Sequence, residues 1–426
     1  MSAASSLRPG VRPREVWGWA MYDFANSGYT TVVITAIFNA YFVGVVAGGK
    51  PWATFAWTAA LAVSYLLIII TAPALGAWMD ARAAKKRVLL MTTIGCVLFT
   101  AALASVGPGD LWLGVVLIVL SNFFYGSGEN VAAAFLPGLA EGDAMGRVSG
   151  WGWSLGYIGG LISLGACLAY VSYVKSHGAD AAHFVPGTMV ITALIFAASS
   201  VPTFLFLKER AVPVVGSAGV VAAFARLAQT ARQARRHTDL WRFLICIVCY
   251  QAGIQAVIAL AAIYAEQAMG FKTEQTIVLI LVVNIAAAAG AFIFGHVQDR
   301  VGHFRAILWT LIGWIVTVLL AWSASGPVRF WIAANIAGLC VGSSQSAGRA
   351  LVGYLSPPSR EGEFFGLWGV AVKLSSILGP VTYGAVTWVT HGDQRTAILV
   401  TGLYFVIGIA ILAGIDVERG RSAALE

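Results

Sequence analysis

Long apolar runs recur along the whole chain, and they limit what it can fold into. A run such as AVSYLLIIITAPALGAW supplies most of the about 20 apolar residues that a membrane-spanning helix needs. It lacks the alternation of apolar and polar residues that marks a strand of a transmembrane barrel. Helices and closed barrels are the two structures whose backbones satisfy their own hydrogen bonds in lipid. We therefore predict an all-α membrane protein.

Twelve such segments predict twelve transmembrane helices. Apolar residues make up 59% of the 426 residues and charged residues 11%, whereas a soluble domain averages about 25% charged residues. The apolar runs are therefore too many for the core of a soluble protein. The predicted spans lie near residues 17–46, 53–78, 88–106, 111–137, 148–173, 187–207, 241–267, 275–297, 306–325, 329–355, 364–390 and 395–416.

The distribution of Lys and Arg predicts the orientation. If the N-terminus is cytoplasmic, twenty of the 27 basic residues fall on the cytoplasmic side and five on the other, as the positive-inside rule requires. We predict that both termini are cytoplasmic. The net charge of +8 then reflects topology and attraction to anionic lipid. The sequence predicts no basic folded face of the kind that would indicate a nucleic-acid partner. Compact loops and no visible targeting signal favour a bacterial inner membrane, and we expect a monomer.

The longest internal hydrophilic segment divides the chain into two similar parts. We predict an N-terminal six-helix bundle over 1–207, a cytoplasmic linker over 208–240 and a C-terminal six-helix bundle over 241–426. Within the linker, VVAAFARLAQTARQARR separates apolar from basic residues at helical spacing. This pattern predicts an amphipathic basic helix that lies on the membrane surface. A solvated linker is the alternative.

The two halves show weak internal similarity. GAWMDARAAKKR parallels GHVQDRVGHFRA, so that Gly76 matches Gly295 and Asp80 matches Asp299. YGSGENVAAAFLPGLAEGDAMGRVSG parallels VGSSQSAGRALVGYLSPPSREGEFFG, which matches Gly126 to Gly342 and Gly150 to Gly366. Repeated six-helix halves are typical of transporters in which two domains move about a central site.

The second copy of the loop resembles the G-x-x-x-D-R-x-G-x-[RK] motif of the major facilitator superfamily. The first copy keeps Gly76 and Asp80, but Ala81 and Ala83 replace the Arg and the second Gly. The residues that fit the motif in the second copy are Gly295, Asp299, Arg300, Gly302 and Arg305.

A narrower resemblance covers nearly the whole chain. YDFANSGYTTVVITAIF, GRVSGWGWSLGYIGG and REGEFFGLWGVAVKLSSILGP resemble the "unknown major facilitator" family, which includes the autophagy-related vacuolar amino-acid effluxer. The resemblance implies two pseudo-symmetric bundles of six helices each. It also implies that Asp80 and Asp299 lock one state of the transport cycle. The alternative is that this motif only sets the topology.

Polar side chains inside the predicted spans mark the candidate site. A charge at the bilayer centre costs about 2.5–3.5 kcal/mol on insertion scales, so such residues are expected to face a partner or a wet cavity. On helices 1, 4, 7 and 10 they recur at helical spacing on one face. We predict coupling or gating roles for Asp23, Glu129, Arg349 and Lys373, and substrate binding by Asn26, Thr30, Tyr125, Gln251, Gln255 and Gln345.

Each assignment has a structural alternative. The alternative for the four charged residues is structural ion pairs, in which Asp23 or Glu129 meets Arg349 or Lys373. The amide side chains are also suited to hydrogen bonds between helices. The functional interpretation is coupling to a proton or cation by the acids, and binding of a carboxylate by the bases.

Together these patterns predict a secondary active transporter of an amino acid or a small carboxylate-bearing solute, working by alternating access and coupled to protons. The sequence contains no P-loop motif, so transport driven by ATP is not supported. The five cysteines fall in apolar helices and the six histidines in loops or at helix ends, so we expect no metal, cofactor or catalytic residue. The alternatives are a transporter-like receptor and an integral-membrane enzyme that uses Asp23 and Glu129 as acid and base.

Overall fold

The computed structural model describes residues 7–50, 52–178, 181–210, 237–271, 273–391 and 393–426. The predicted amphipathic helix of the linker falls within 211–236, outside the described residues. The described residues form long helices joined by short loops, as predicted. These helices are α1 (Pro13–Tyr29), α2 (Ala53–Arg82), α3 (Lys85–Ala102), α4 (Leu111–Ala133), α5 (Met145–Lys175), α6 (Ala181–Phe206), α7 (Thr238–Gln267), α8 (Thr273–Val301), α9 (His303–Trp322), α10 (Pro327–Leu355), α11 (Glu361–Val389), α12 (Gln394–Leu412) and a short α13 (Val417–Leu425).

Eleven helical segments of the described residues are long and apolar enough to cross a membrane. The long helix outside this set is α10, which has 29 residues but carries the polar run around Gln345 and Arg349 in its C-terminal half. The number twelve therefore stays a prediction. The first of the eleven segments runs from Pro13 to Val46, because α1 continues as a helix beyond Tyr29.

The continuation of α1 is not a regular α-helix. Thr30–Ala36 and Phe42–Val46 are π-helical and flank a short α-helical turn. The backbone amide of Ile37 donates to the carbonyl of Val32 at 2.9 Å, five residues back. The run TTVVIT is β-branched throughout, which disfavours regular helix. The Thr35 hydroxyl also donates to the Thr30 carbonyl at 3.1 Å, which competes with the regular hydrogen bonds.

The same helix pairs pack in both halves of the chain. In the first half α1 packs against α5 and α6, and α4 packs against α2 and α3. The corresponding contacts in the second half are α7 against α11 and α12, and α10 against α8 and α9. Between the halves, α2 packs against α11 and α5 packs against α8. This repetition agrees with the internal similarity of the sequence.

Glycines line the contacts between the halves. A Cβ atom added to Gly150 would lie 2.5 Å from the Ala291 carbonyl oxygen, and one added to Gly366 would lie 2.6 Å from that of Ala72. Side chains at these two matched positions would therefore push α5 from α8 and α11 from α2. Small residues permit such close helix approach in membranes.

Two loops of the internal repeat each contain a residue with positive φ at the matched position. Gly302 has φ +87° and Ala83, its counterpart in the first copy, has φ +51°. Glycine adopts positive φ readily and alanine does not. The first copy thus keeps the positive φ although it has lost the glycine, whereas ψ differs between the two copies, +50° at Ala83 and +158° at Gly302.

Candidate functional site

One end of the helix bundle carries the loops that join α2 to α3, α4 to α5, α8 to α9 and α10 to α11. We call it the basic end, because the predicted cytoplasmic Lys and Arg residues cluster there. The candidate residues lie in two layers, one at the basic end and one deeper in the bundle.

The first deep ion pair joins Asp23 on α1 to Arg349 on α10. The Arg349 Nη1 donates to the Asp23 Oδ2 at 2.7 Å. The same guanidinium donates from Nε to the Ser149 hydroxyl at 3.1 Å and from Nη2 to the Ser149 carbonyl at 2.9 Å. The Arg349 side chain is 3% exposed and that of Asp23 13% exposed. This pair therefore connects α1, α5 and α10 inside the membrane.

Two indole rings enclose the guanidinium. The Arg349 Cζ lies 4.7 Å from the ring centroid of Trp19 and 5.3 Å from that of Trp153. Gly152 makes room for the pair, because a Cβ there would lie 2.7 Å from the Arg349 Nη2. Cation–π contacts of this kind favour arginine over lysine.

The second deep ion pair joins Glu129 on α4 to Lys373 on α11. The Lys373 Nζ donates to the Glu129 Oε2 at 3.0 Å. The ammonium also lies 5.6 Å from the ring centroid of Tyr65 and 5.5 Å from that of Tyr125. Glu129 keeps 19% of its side chain exposed, against 7% for Lys373. The acid is thus the more accessible partner of this pair.

The structure distributes the six predicted substrate-binding residues around these pairs. The Tyr125 ring stacks on that of Tyr29 at 4.8 Å, and the Thr30 hydroxyl donates to the Asn26 carbonyl at 3.3 Å. Gln251 on α7 donates from Nε2 to the Gln345 Oε1 on α10 at 2.5 Å. Gln255 is half-buried. The buried atoms Asn26 Oδ1 and Gln251 Oε1 have no hydrogen-bond partner among the described residues.

At the basic end, Asp80 contacts the N-terminus of α11. Its two carboxylate oxygens accept hydrogen bonds from the backbone amides of Gly362 and Glu363, each at 3.0 Å. Helix N-termini carry unpaired amides and a positive dipole end, so they bind anions. Gly76, one turn earlier, lies directly against Gly362. The motif thus joins α2 to α11 across the halves.

Asp299 makes the equivalent contact with the N-terminus of α5. Its Oδ1 accepts from the backbone amide of Arg147 and its Oδ2 from the Arg147 Nε, both at 3.1 Å. Gly295 lies against Gly146, as Gly76 lies against Gly362. Arg300 and Arg305 of the same motif are exposed. They form no ion pair with the residues that the structure describes.

Sequence reasoning missed the charged cluster beside Asp80. The Lys85 Nζ donates to the Glu361 Oε2 at 2.6 Å and to the Ala134 carbonyl at 3.2 Å, and it lies 3.8 Å from the Asp80 Oδ1. Lys85 and Glu361 are both buried. The sequence offered one signal. Lys85 closely follows Asp80 in the chain, and Glu361 directly precedes the two residues whose amides bind Asp80.

The enclosing residues Trp19, Ser149 and Tyr65 were also missed as site residues. Nothing in their sequence context separates them from ordinary packing residues. In the described part of the chain, no group of three or more His, Cys, Asp or Glu side chains is arranged to hold a metal ion.

Comparison with known proteins gives these features a family context. The model of the family described as "Vacuole effluxer Atg22 like" matches residues 52–425. The chain is 27% identical over 414 residues to YxiO, an MFS-type transporter of Bacillus subtilis (strain 168), covering 95% of this chain and 96% of that protein. It is 25% identical over 309 residues to Autophagy-related protein 22-1 of Penicillium rubens, covering 66% of this chain. It spans 50% of the length of that fungal relative.

A solved structure supports the same fold. The chain resembles the human organic anion transporter MFSD10 with a TM-score of 0.74 and 14% identity, covering 94% of this chain and 100% of that one. These findings confirm the expected major facilitator fold and transport across a membrane by an integral membrane protein. Transporters of this superfamily bind small-molecule substrates and are not enzymes, so the enzyme alternative is excluded.

Proposed function

This chain belongs to the Atg22-like vacuole effluxer family, and from that premise we propose that it is a secondary active transporter of an amino acid or a small carboxylate-bearing solute, coupled to protons. One observation carries the proposal: two buried ion pairs, Asp23–Arg349 and Glu129–Lys373, each join one half of the molecule to the other.

The Glu129–Lys373 pair supplies the chemistry for a carboxylate. A buried ion pair is costly to desolvate, and it becomes strongly unfavourable when one partner is lost. Protonation of Glu129 leaves the Lys373 ammonium without its counter-ion, and a substrate carboxylate restores it. Proton and anionic solute then bind together without a net change in buried charge. For an amino acid, the unpartnered oxygens of Asn26 and Gln251 offer acceptors to the amino group.

The Asp23–Arg349 pair has a different role in this proposal. All three nitrogen atoms of the guanidinium already donate hydrogen bonds, to Asp23 and Ser149, and two indoles cover its faces. Arg349 therefore acts as a gate that holds α10 against α1 and α5, whereas Lys373 meets the substrate. Protonation of Asp23 weakens this gate.

The proposal also includes orientation and location. The basic end faces the cytoplasm of a bacterial cell, the protein lies in the inner membrane as a monomer, and both termini are cytoplasmic. The contacts of Asp80, Asp299 and Lys85 across the halves support closure at that end. In this state the solute reaches Glu129 from the opposite side.

Flux in proteoliposomes tests the proposal. Purified protein is reconstituted, and uptake of a mixture of radiolabelled amino acids and small carboxylates is measured with and without an inwardly acidic or alkaline pH gradient. We expect gradient-driven flux of at least one of these solutes. Asp23→Asn and Glu129→Gln are expected to lower gradient-driven flux by at least tenfold while solute exchange without a gradient persists in Glu129→Gln.

Two results argue against the proposal. Full gradient-driven flux in both variants would exclude proton coupling through these acids. Saturable solute binding without flux in the wild type would favour the transporter-like receptor. Arg329→Lys serves as the control, because Arg329 is exposed and lies far from both pairs. Among the described residues its hydrogen bond goes to the Ser323 carbonyl.

A further inference from the structure

The internal repeat assigns a counterpart to each member of the Glu129–Lys373 pair. Gly126 matches Gly342, and Glu129 and Gln345 each follow three residues later. Gly150 matches Gly366, and Tyr157 and Lys373 each follow seven residues later. The helices that carry them also correspond, because α4 packs against α11 as α10 packs against α5. Tyr157 and Gln345 therefore occupy the position related to Lys373 and Glu129 by the pseudo-twofold axis.

The two related positions differ in chemistry. Glu129 and Lys373 bind each other, but Gln345 turns to Gln251 instead. The Tyr157 hydroxyl has no hydrogen-bond partner among the described residues, and the Tyr157 side chain is partly exposed. A phenol in a membrane helix is costly to leave unpaired unless a solvated cavity or a ligand meets it.

A second unpaired donor lies one helical turn away. The Trp153 Nε1 is buried and has no partner in the described part of the chain. Its ring lies 5.9 Å from that of Tyr157, and the Arg349 guanidinium lies 5.3 Å from the same indole. Two hydrogen-bond donors thus lie next to each other on α5. The positive charge nearby is already balanced by Asp23, so an uncharged oxygen fits better than a second carboxylate.

We infer that Trp153 and Tyr157 form a neutral subsite on the opposite side of the pseudo-twofold axis from Glu129 and Lys373, which binds an uncharged oxygen acceptor of the substrate, such as an amide or hydroxyl oxygen. The inference rests on the proposed function. It restricts the substrate class to solutes with a charged carboxylate end and an uncharged polar end. A solute with a purely apolar second end leaves both donors unpaired.

Cysteine labelling tests the position of Tyr157 without knowledge of the substrate. Tyr157→Cys is made in a Cys249→Ala background, because the other native cysteines are buried. A membrane-impermeant anionic methanethiosulfonate is added from the side opposite the basic end. We expect Cys modification at least about tenfold faster than in Ile162→Cys, which places the thiol on another, exposed apolar face of α5. Equal or slower modification at 157 overturns the inference.

Competition between two probes tests the chemistry. L-Glutamine and L-norleucine share the charged end and differ in the uncharged end. We expect Tyr157→Phe to lower glutamine flux about three- to tenfold, the loss of one neutral hydrogen bond, and to leave norleucine flux unchanged. Tyr173→Phe on the same helix is the matched control, because Tyr173 is 67% exposed.

The outcomes separate this inference from the proposed function. An equal effect of Tyr157→Phe on both probes, or no effect on either, overturns the neutral subsite while transport stands. Rapid labelling at 157 with no flux of either amino acid or of any small carboxylate by the wild type overturns the proposed function instead. In that case the accessible position of residue 157 is still supported, because it rests on the measured reactivity of the Tyr157→Cys thiol.

Discussion

At the residue scale, Arg349 shows how a buried charge is held in a membrane. Its fork shape allows three hydrogen bonds, to Asp23 and to the side chain and backbone of Ser149, while its flat faces meet Trp19 and Trp153. Lysine carries the same charge but has neither the fork nor the flat faces.

Arg349→Lys is therefore expected to destabilise the protein although the charge is kept. It removes two hydrogen bonds made by a charged donor, each contributing about 1.5–3 kcal/mol, and we expect a loss of about 3–6 kcal/mol in the free energy of unfolding. Thermal unfolding in detergent measures it, with Arg329→Lys as the control. A melting temperature equal to that of the wild type would contradict this account.

For Asn130 on α4 we predict the opposite effect of a substitution, a gain in stability. Its side-chain nitrogen and oxygen are buried and have no hydrogen-bond partner among the described residues, and it lies against Gly369 of α11. An unsatisfied buried amide costs about 1–3 kcal/mol. Because α4 and α11 belong to different halves, this cost falls on the state with a closed basic end.

Asn130→Ala is expected to favour that closed state by about 1 kcal/mol, roughly a fivefold shift in population. The thermal stability of the protein is expected to rise and the rate of transport to fall, because the closed end opens less often. Asn335→Ala is the control, since Asn335 on α10 donates within its own helix to the Trp331 carbonyl at 2.8 Å. Faster transport by Asn130→Ala would refute the idea.

At the element scale, the loop between α2 and α3 keeps a strained turn. Ala83 has φ +51° and ψ +50°, whereas the counterpart in the second copy is Gly302. A non-glycine residue in this region costs about 1–2 kcal/mol. We expect Ala83→Gly to stabilise the protein, by about 0.5–1 kcal/mol after the entropy that glycine adds to the unfolded chain.

Thermal unfolding of Ala83→Gly measures this gain. Ala84→Gly, one residue later with φ −119°, is the matched control and is expected to give no gain. An equal or lower melting temperature for Ala83→Gly would show that the turn carries no strain. The sequence identified the missing glycine, but not that the positive φ survives its loss, because contacts of Asp80 and Lys85 hold the turn from both sides.

At the scale of the whole molecule, some features could be predicted from the sequence and others could not. Helices, their order and the repeat follow from apolar runs and motif spacing, because these properties are local. Helical spacing also fixes which face Asp23 and Glu129 occupy, and how far along the helix each lies. It does not fix the rotation of one helix about another, so the sequence left open whether Asp23 meets Arg349 or Lys373. The sequence did not predict the π-helical continuation of α1 either.

Closure of the basic end depends on contacts between the two halves. The buried charges in these contacts suggest substitutions that would open it. Lys85 on α3 and Glu361 on α11 meet at 2.6 Å, and both side chains are at most 10% exposed. Reversing one of them brings like charges together in a poorly solvated site, a change that costs more than the loss of the pair itself. Lys85→Glu and Glu361→Lys are each expected to shift the protein towards an open basic end. The double reversal is expected to restore closure, because it restores the attraction.

Spin labels at the exposed positions Glu141 and Arg305, one in each half at the basic end, report this closure as a distance distribution. We expect each single reversal to move at least half of the population to longer distances, and the double reversal to return most of it. The neighbouring Asp80 limits the rescue, since it lies 3.8 Å from the Lys85 ammonium and would face the new carboxylate. A double variant as open as the single ones, with Asp80→Asn added to remove that repulsion, would show that helix packing rather than this ion pair holds the end closed.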